Sequence, residues 1–336
     1  MAQRILEPGQ IETLAQSSIP RIRLPGRESL FARRAARLRK LASGSALSDY
    51  LRFLAALVDA QHAALEPLSV PAPTAAHLEI SREHGMPPIH AATWPRTPQW
   101  RETLEFLCAA LAAQTGFPAG VGDCISTIRR ATPAWIEAQA ASILEARSDA
   151  IDIPVAPVVM AALQVHWVAL AAHFVADEVA ALDVPARAAR FVADEVAALD
   201  VPGVCPLCGS LPVASMVCAQ SKYQGYRYLH CALCATEWHM VRVLCSQCGA
   251  SGKNIAYYSL EGHAAEKNPG EEGGVAVRAE TCEQCHAYRK ILYQEKDTGV
   301  EPVADDVASI ALDLMLAEEG YHRASGNPLL WLPNSV

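Results

Sequence analysis

Eight of the eleven cysteines fall after residue 200 in four CxxC pairs, Cys205/Cys208, Cys231/Cys234, Cys245/Cys248 and Cys282/Cys285. Two residues between cysteines let a tight turn aim both sulfurs at one ion, and two such turns close a tetrahedral shell of four sulfurs. Eight ligands therefore make two sites. The pairs are separated by 22, 10 and 33 residues. Pairing the first with the second and the third with the fourth gives two consecutive ribbon-like modules, each closed by a hairpin or loop of ordinary length. A four-sulfur shell suits zinc and equally a single iron of rubredoxin type, and spacing does not choose between them. A closed shell of this kind keeps no open position for substrate, which disfavours metal-assisted hydrolysis. CPLCG and CSQCG carry Gly209 and Gly249 after the second cysteine, where a knuckle tolerates the backbone twist that glycine permits.

Other uses of these cysteines fit less well. A thioredoxin-like dithiol needs one CxxC between a strand and a helix N-terminus, whereas here four pairs sit on hairpin-like turns. Cys282 to His286 matches the haem-attachment pattern CxxCH, but that use strands the third pair without a partner pair. A nucleic-acid-binding ribbon displays a basic face, yet residues 203 to 300 carry nine Lys/Arg against nine Asp/Glu. Cys108, Cys124 and Cys218 have no spaced partner and read as buried small hydrophobes. His166 and His173 read as satisfied core histidines, and His239 as an ordinary strand residue or a group near Cys234. No phosphate-cradling glycine loop, HExxH, GxSxG or Rossmann fingerprint occurs. Asp305-Asp306 are adjacent carboxylates that would project about 100° apart on a helix, so shared acid/base work is disfavoured and helix N-terminal placement explains them. The chain does not read as an enzyme.

The elements that must hold these cysteines follow from pattern and composition. At 336 residues, 51% apolar, the chain predicts about two domains with a sizeable core. The net charge of -8 argues against a dedicated nucleic-acid or membrane-surface binder. The basic excess is local: residues 1 to 40 carry nine Lys/Arg against three acids. No signal peptide is visible. Ile153 to Ala176 is long enough to span a membrane, but its prolines, Gln164, His166, His173 and acidic flanks predict a buried core helix. Residues 1 to 202 read as an all-helical domain, with helices from Ser29 to Leu41, from Ser48 to Leu65, and over 99 to 115 and 133 to 147 behind Thr-Pro start signals. The twelve residues FVADEVAALDVP at 174 to 185 recur at 191 to 202. This reads as a local duplication that lengthens the approach to the cysteine region, since a solenoid needs at least three units of longer period. Residues 203 to 300 then form a double metal-ribbon domain, two rubredoxin-like or zinc-ribbon-like modules of four cysteines each. Its strands fall near Tyr226 to Leu229, Trp238 to Val243, Ile255 to Leu260 and Tyr288 to Tyr293, with a loop over Gly262 to Gly274. Residues 301 to 336 supply a C-terminal helix, from Pro302 to Glu319, and a tail. The fold class is α+β.

Several blocks together resemble the formate dehydrogenase accessory protein family, the FdhE-like proteins: CPLCGSLPVASMV, YLHCALCATEWHMVRVLCSQCG, YYSLEG, AETCEQCHAYRKIL and ADDVASIALDLMLAEEGYHRASGNPLLW, with the helical FARRAARLRKLASGSALSDYLRFLAALVDAQ ahead of them. The tandem copies depart from that pattern. The resemblance implies a cytoplasmic maturation factor for respiratory formate dehydrogenase that acts on the catalytic subunit, with no membrane insertion and no nucleic acid, self-association being left open. It also implies two metal ions per chain, iron favoured over zinc, with the eight cysteines as ligands. A rubredoxin-like electron carrier and a zinc-ribbon adaptor are the alternatives. Arg33, Arg34 and Arg37 on the basic helix, with Tyr321, Arg323 and Asn327 in the tail, are the candidate partner contacts.

Overall fold

The structure is a computed structural model, and it describes residues 20–174, 203–219, 224–260, 262–266 and 275–331. The tandem copies beyond Phe174 and most of the Gly262 to Gly274 segment lie outside these residues. Seven helices among them build the N-terminal body: α1 (Leu30–Ala42), α2 (Ser48–Leu65), α3 (Ala75–His84), α4 (Gln99–Ala112), α5 (Ala119–Arg130), α6 (Pro133–Leu144) and α7 (Ala156–Ala171). Thr132 caps α6 by accepting from Trp135 N, and Pro133 sets its first turn. α3 is only weakly amphipathic, whereas α5 is strongly so despite Gly120 and Gly122. All 16 residues of α7 are buried. It packs against α2, α4 and α6, so its apolar surround faces protein on every side. No helix among the described residues is long and apolar enough to cross a membrane.

The C-terminal region forms a nine-stranded sheet from β1 (Ile22–Arg23), β2 (Pro212–Val217), β3 (Arg227–Cys231), β4 (Glu237–Met240), β5 (Ile255–Ser259), β6 (Gly262–Glu266), β7 (Val277–Cys282), β8 (Ala287–Tyr293) and β9 (His322–Arg323). The order is β1-β4-β3-β2-β8-β7-β5-β6, with β9 on β8. Each four-cysteine module supplies an antiparallel half. A parallel pairing of Ser215–Val217 in β2 with Ile291–Tyr293 in β8 joins the halves into one sheet. The two ribbon modules are thus continuous rather than separate units. Every residue of β2 is buried, and α8 (Pro302–Ala308) packs on it.

The C-terminal helix expected from 302 to 319 is two helices, α8 and α9 (Ile310–Glu318), broken at Ser309. The break has a chemical cause. Buried Lys290 Nζ donates to Asp306 O at 2.6 Å and Ser309 O at 3.1 Å, while Ser309 Oγ donates to Asp305 O at 2.7 Å. These contacts draw carbonyls away from uninterrupted helical bonding. Glu301 caps α8 by accepting from Val303 N and Ala304 N, and Gly320, at φ 85°, closes α9.

The basic helix and the tail make most of their polar contacts within the chain. Arg34 and Arg37 are buried, at 1% and 7% exposure; Arg34 pairs with Glu301 at 2.9 Å, and Arg37 with Asp305 at 2.6 Å and Asp297 at 2.7 Å. Arg323 pairs with Asp306 and Asp313, and Asn327 donates to Val303 O and Asp306. Tyr321 donates to Glu283. These five side chains hold α1 and the tail onto α8, α9 and the sheet, because two charges removed from water persist only when paired and hydrogen-bonded. Arg33 alone of the six points to solvent.

Candidate metal centres

The sulfurs gather into two groups, Cys205/Cys208/Cys231/Cys234 and Cys245/Cys248/Cys282/Cys285, each with all four within 4.8 Å of one another. This is the first-with-second and third-with-fourth pairing. In the first group Cys205 and Cys234 stand 3.6 Å apart and Cys208 and Cys231 3.4 Å; in the second, Cys245 and Cys285 stand 3.8 Å apart and Cys248 and Cys282 3.6 Å. A disulfide would bring sulfurs to about 2.05 Å. A tetrahedral shell with metal–sulfur bonds of about 2.3 Å has edges of about 3.8 Å. The observed separations match such a shell, so both groups fit one tetrahedral ion each.

Each pair is held by the same turn. The residue after the second cysteine has positive φ in all four: Gly209 at 75°, Ala235 at 57°, Gly249 at 74° and His286 at 54°. Glycine at two of them was legible; the alanine and histidine adopt the same left-handed conformation, which costs a residue with a Cβ roughly 1–2 kcal/mol. In three of the four the N–H of that residue donates to the first cysteine's carbonyl, from Gly209 to Cys205 at 2.8 Å, Gly249 to Cys245 at 3.1 Å and His286 to Cys282 at 2.8 Å. Backbone N–H groups of Leu233 and Cys234 aim at Cys231 Sγ, and that of Gln247 at Cys245 Sγ, all at 3.4 Å. Such donors offset thiolate charge.

The first centre lies inside the protein. Its four cysteines are at most 1% exposed, and they belong to the same apolar core as the helical body. Ile89 N donates to Leu207 O at 3.1 Å and Ala91 N to Cys208 O at 2.8 Å, so the α3–α4 connection docks on the first knuckle through backbone bonds. The second knuckle is held from α7, where Gln164 Nε2 donates to Ala232 O at 2.7 Å and Gln164 Oε1 accepts from Gln61 at 3.0 Å. Burial pushes the Cys205 and Cys231 thiols well up. It also pushes Cys208 up, but hydrogen bonds from Cys205, Cys231 and Cys234 outweigh it and bring that thiol well below its ordinary value.

The second centre faces outward. Cys245 and Cys282 are buried, whereas Cys248 and Cys285 are half-buried. Behind it Arg289 Nε donates to Ser246 Oγ at 2.8 Å, and Arg227 pairs with Glu280 at 2.8 Å. Burial, reinforced by the Arg227 charge, lowers Arg289 to about 9. Two buried cations against one carboxylate leave positive charge next to a shell whose four thiolates exceed the charge of a divalent ion. Neither the Gln61–Gln164 relay nor Arg289 carried a sequence signal, since their partners lie far away in the chain.

The remaining expected residues are structural or isolated. Cys108 and Cys124 are buried, and burial pushes their thiols up to about 12 and about 11. Cys218 accepts from Arg23 at 3.1 Å. His173 contacts Val70 O, and His239 sits in β4, edge-on to Tyr226 and Tyr228. His166 departs from a satisfied core histidine: it is fully buried and neither ring nitrogen has a partner.

A helical body continuous with a sheet that carries two four-sulfur knuckle pairs defines a class of double-ribbon cysteine-knuckle proteins. Sequence-family models described as FdhE, N-terminal; FdhE, central domain; and FdhE, C-terminal domain match residues 19–183, 204–242 and 243–330. The chain belongs to the FdhE family. It is 40% identical to the FdhE homolog of Pseudomonas aeruginosa over 98% of both chains, and 38% identical to that of Cronobacter sakazakii, also over 98% of both. Protein FdhE of Escherichia coli K12 is 36% identical, over 97% of this chain and 96% of its own. The crystal structure of the FdhE protein from Pseudomonas aeruginosa superposes with a TM-score of 0.74, at 36% identity, over 93% of this chain and 99% of that one.

Proposed function

We propose that this chain is an accessory factor for the maturation of formate dehydrogenase, binding the enzyme's catalytic subunit in the cytoplasm while Cys205, Cys208, Cys231, Cys234, Cys245, Cys248, Cys282 and Cys285 hold two iron ions. The observation that carries the reading is the FdhE family match along the whole chain together with two sulfur shells of tetrahedral size. Iron in such a shell supplies a one-electron couple without ligand exchange. The chain's own part is to fix the sulfurs, supply N–H donors to them and exclude water from the first centre. Half-buried Cys248 and Cys285 make the second centre the one suited to sensing redox state near a client, or to a docking surface. The same exposure supports a second reading, a rubredoxin-like electron carrier.

The test is capture of the protein from anaerobic cells with metal analysis of the eluate. Co-purified formate dehydrogenase catalytic subunit and two irons per chain support the proposal. Two zinc ions and no subunit refute it and leave a zinc-ribbon adaptor. Replacing Cys245 and Cys248 by Ser then separates the roles: a folded variant that still binds the subunit while maturation fails eliminates pure scaffolding.

A further inference from the structure

Arg289, in β8, is 4% exposed, and its hydrogen bonds end on neutral acceptors: Nε donates to Ser246 Oγ at 2.8 Å and Nη1 to Pro212 O and Ser325 Oγ, while Nη2 is buried without a partner. The Glu280 carboxylate pairs instead with Arg227, and the neighbouring Lys290 and Arg323 are matched by Asp306 and Asp313. One buried positive charge is thus left over, and a guanidinium removed from water needs a counter-charge. The second metal shell supplies one. Arg289 shares the wall of a small cavity with Cys245 and Cys282, and Ser246, which takes its Nε–H, directly follows Cys245. The Cys245 sulfur is among the groups whose charge favours the guanidinium. The first centre is approached differently: its knuckles are reached by neutral donors, the backbone N–H groups of Ile89 and Ala91 and the Gln164 amide.

We propose that Arg289 is a positioning residue of the second centre, the fixed counter-charge that favours the more negative of two iron oxidation states there and so raises that centre's reduction potential. Four thiolates carry a net charge of −1 around Fe(III) and −2 around Fe(II). Reduction takes one electron from an external one-electron donor, with no bond made or broken, and adds one negative charge to the shell. The attraction of a nearby fixed cation for that shell doubles in the step. Three neutral acceptors already hold the guanidinium, so it need not reorganise as the charge changes. It acts from the inner side, through buried Cys245 and Cys282, while half-buried Cys248 and Cys285 face outward. The inference rests on iron at the second centre for its redox couple, and it does not depend on the client.

The test is a potentiometric titration of the full chain loaded with iron in both centres, followed by visible absorption. The second-centre step is the one that belongs to the iron a chelator removes first, since that shell is partly open. Arg289→Gln should lower this step by about 59 mV, a tenfold shift in the ratio of reduced to oxidised iron, and leave the first-centre step in place. Arg289→Lys, which keeps the charge, should recover most of the loss. Glu280→Gln removes a negative charge from the same cluster and should move the step upwards. Opposite signs for the two Gln variants separate charge from loosened packing, which would move both the same way, and Glu280→Gln decides the matter alone if Arg289→Gln does not fold. An unmoved second-centre step, equal shifts at both centres, or shifts of the same sign in the two Gln variants overturns the proposal. A second centre that takes up no iron refutes the iron reading as well, whereas an iron-loaded centre whose potential ignores Arg289 overturns this proposal alone.

Discussion

Gly209 and Gly249 are matched in backbone and opposed in surroundings, which makes them a controlled pair. Their φ values are 75° and 74°. A Cβ built on Gly249 meets nothing within 4 Å, whereas one on Gly209 comes 2.8 Å from His90 Cδ2 and 3.3 Å from Pro87 Cγ. Gly249→Ala therefore carries only the left-handed penalty, roughly 1–2 kcal/mol, partly offset by the smaller entropy of the unfolded chain. Gly209→Ala carries the same penalty plus overpacking, typically about 1–3 kcal/mol. The backbone bonds of Ile89 N and Ala91 N to the knuckle hold this segment in place, so relief requires the His90 ring to rotate while the Pro87 ring stays put. The expected net losses are about 1 kcal/mol at Gly249 and about 2–4 kcal/mol at Gly209. Urea unfolding of the zinc-loaded chain, followed by circular dichroism with metal content measured alongside, reads the difference. Equal losses in the two variants would refute the docking of the helical body onto the first knuckle.

The other two knuckles reverse the experiment: Ala235→Gly and His286→Gly remove left-handed strain and should each stabilise by about 0.5–1 kcal/mol, seen as a higher unfolding midpoint, while a loss at both would show that the contacts of the buried Ala235 methyl and of the His286 ring beside Tyr321 outweigh that strain. Metal release should be biphasic under a thiol-alkylating reagent and a chromogenic chelator, because only Cys248 and Cys285 are partly open. One ion per chain leaves quickly with those two cysteines alkylated first, and simultaneous loss of both ions would contradict the burial difference. Burial, with the Arg96 charge second, lowers His166 to about 4. The native state then resists a proton that the unfolded state accepts near pH 6.5, so the stability from neutral His166 is complete above about pH 6.5 and is lost as pH falls towards 4, about 3 kcal/mol in all. His166→Leu should flatten that part of the pH–stability curve, as measured by chemical denaturation at about pH 7 and about pH 5, and an unchanged slope would exclude His166 as the titrating group.

The cysteine spacing and the helix punctuation were readable because both are local. CxxC turns close within a few residues, and Thr132-Pro133 marks a helix start with its own side chain. What escaped reading is set by distant partners. β2 carries no alternation because it is buried along its whole length in the middle of the sheet, where its neighbour β8 lies some 75 residues away. Arg34 and Arg37 look like a solvated face by charge alone. Their acids, Glu301 and Asp305, come 267 and 268 residues later, and no periodicity in α1 can announce them. Lys290 breaks the final helix for the same reason, acting from another strand. Ala235 and His286 hid their backbone twist because only glycine advertises it.

The two centres thus differ by what surrounds them rather than by their ligands. Around the first, α7 reaches the second knuckle through Gln164, the α3–α4 connection reaches the first through Ile89 and Ala91, and the core of the helical body includes the cysteines themselves. An ion there ties sheet to helices, and its binding energy is folding energy for both regions. The second centre rests on a small separate apolar cluster formed by Val217, Ile255, Tyr257, Ile291 and Tyr293 with Cys245 and Cys282. The groups are nevertheless linked: Ser246 of the third knuckle packs closely on Gly203, two residues before Cys205, and Arg289 connects Ser246 to Pro212 O at the start of β2. A change at the outward shell has a short covalent and hydrogen-bonded route to the first knuckle and β2, whereas the sealed shell meets solvent only through the parts of the fold it holds together. That asymmetry fits anchoring at the first centre, and it leaves the second in closer contact with its surroundings.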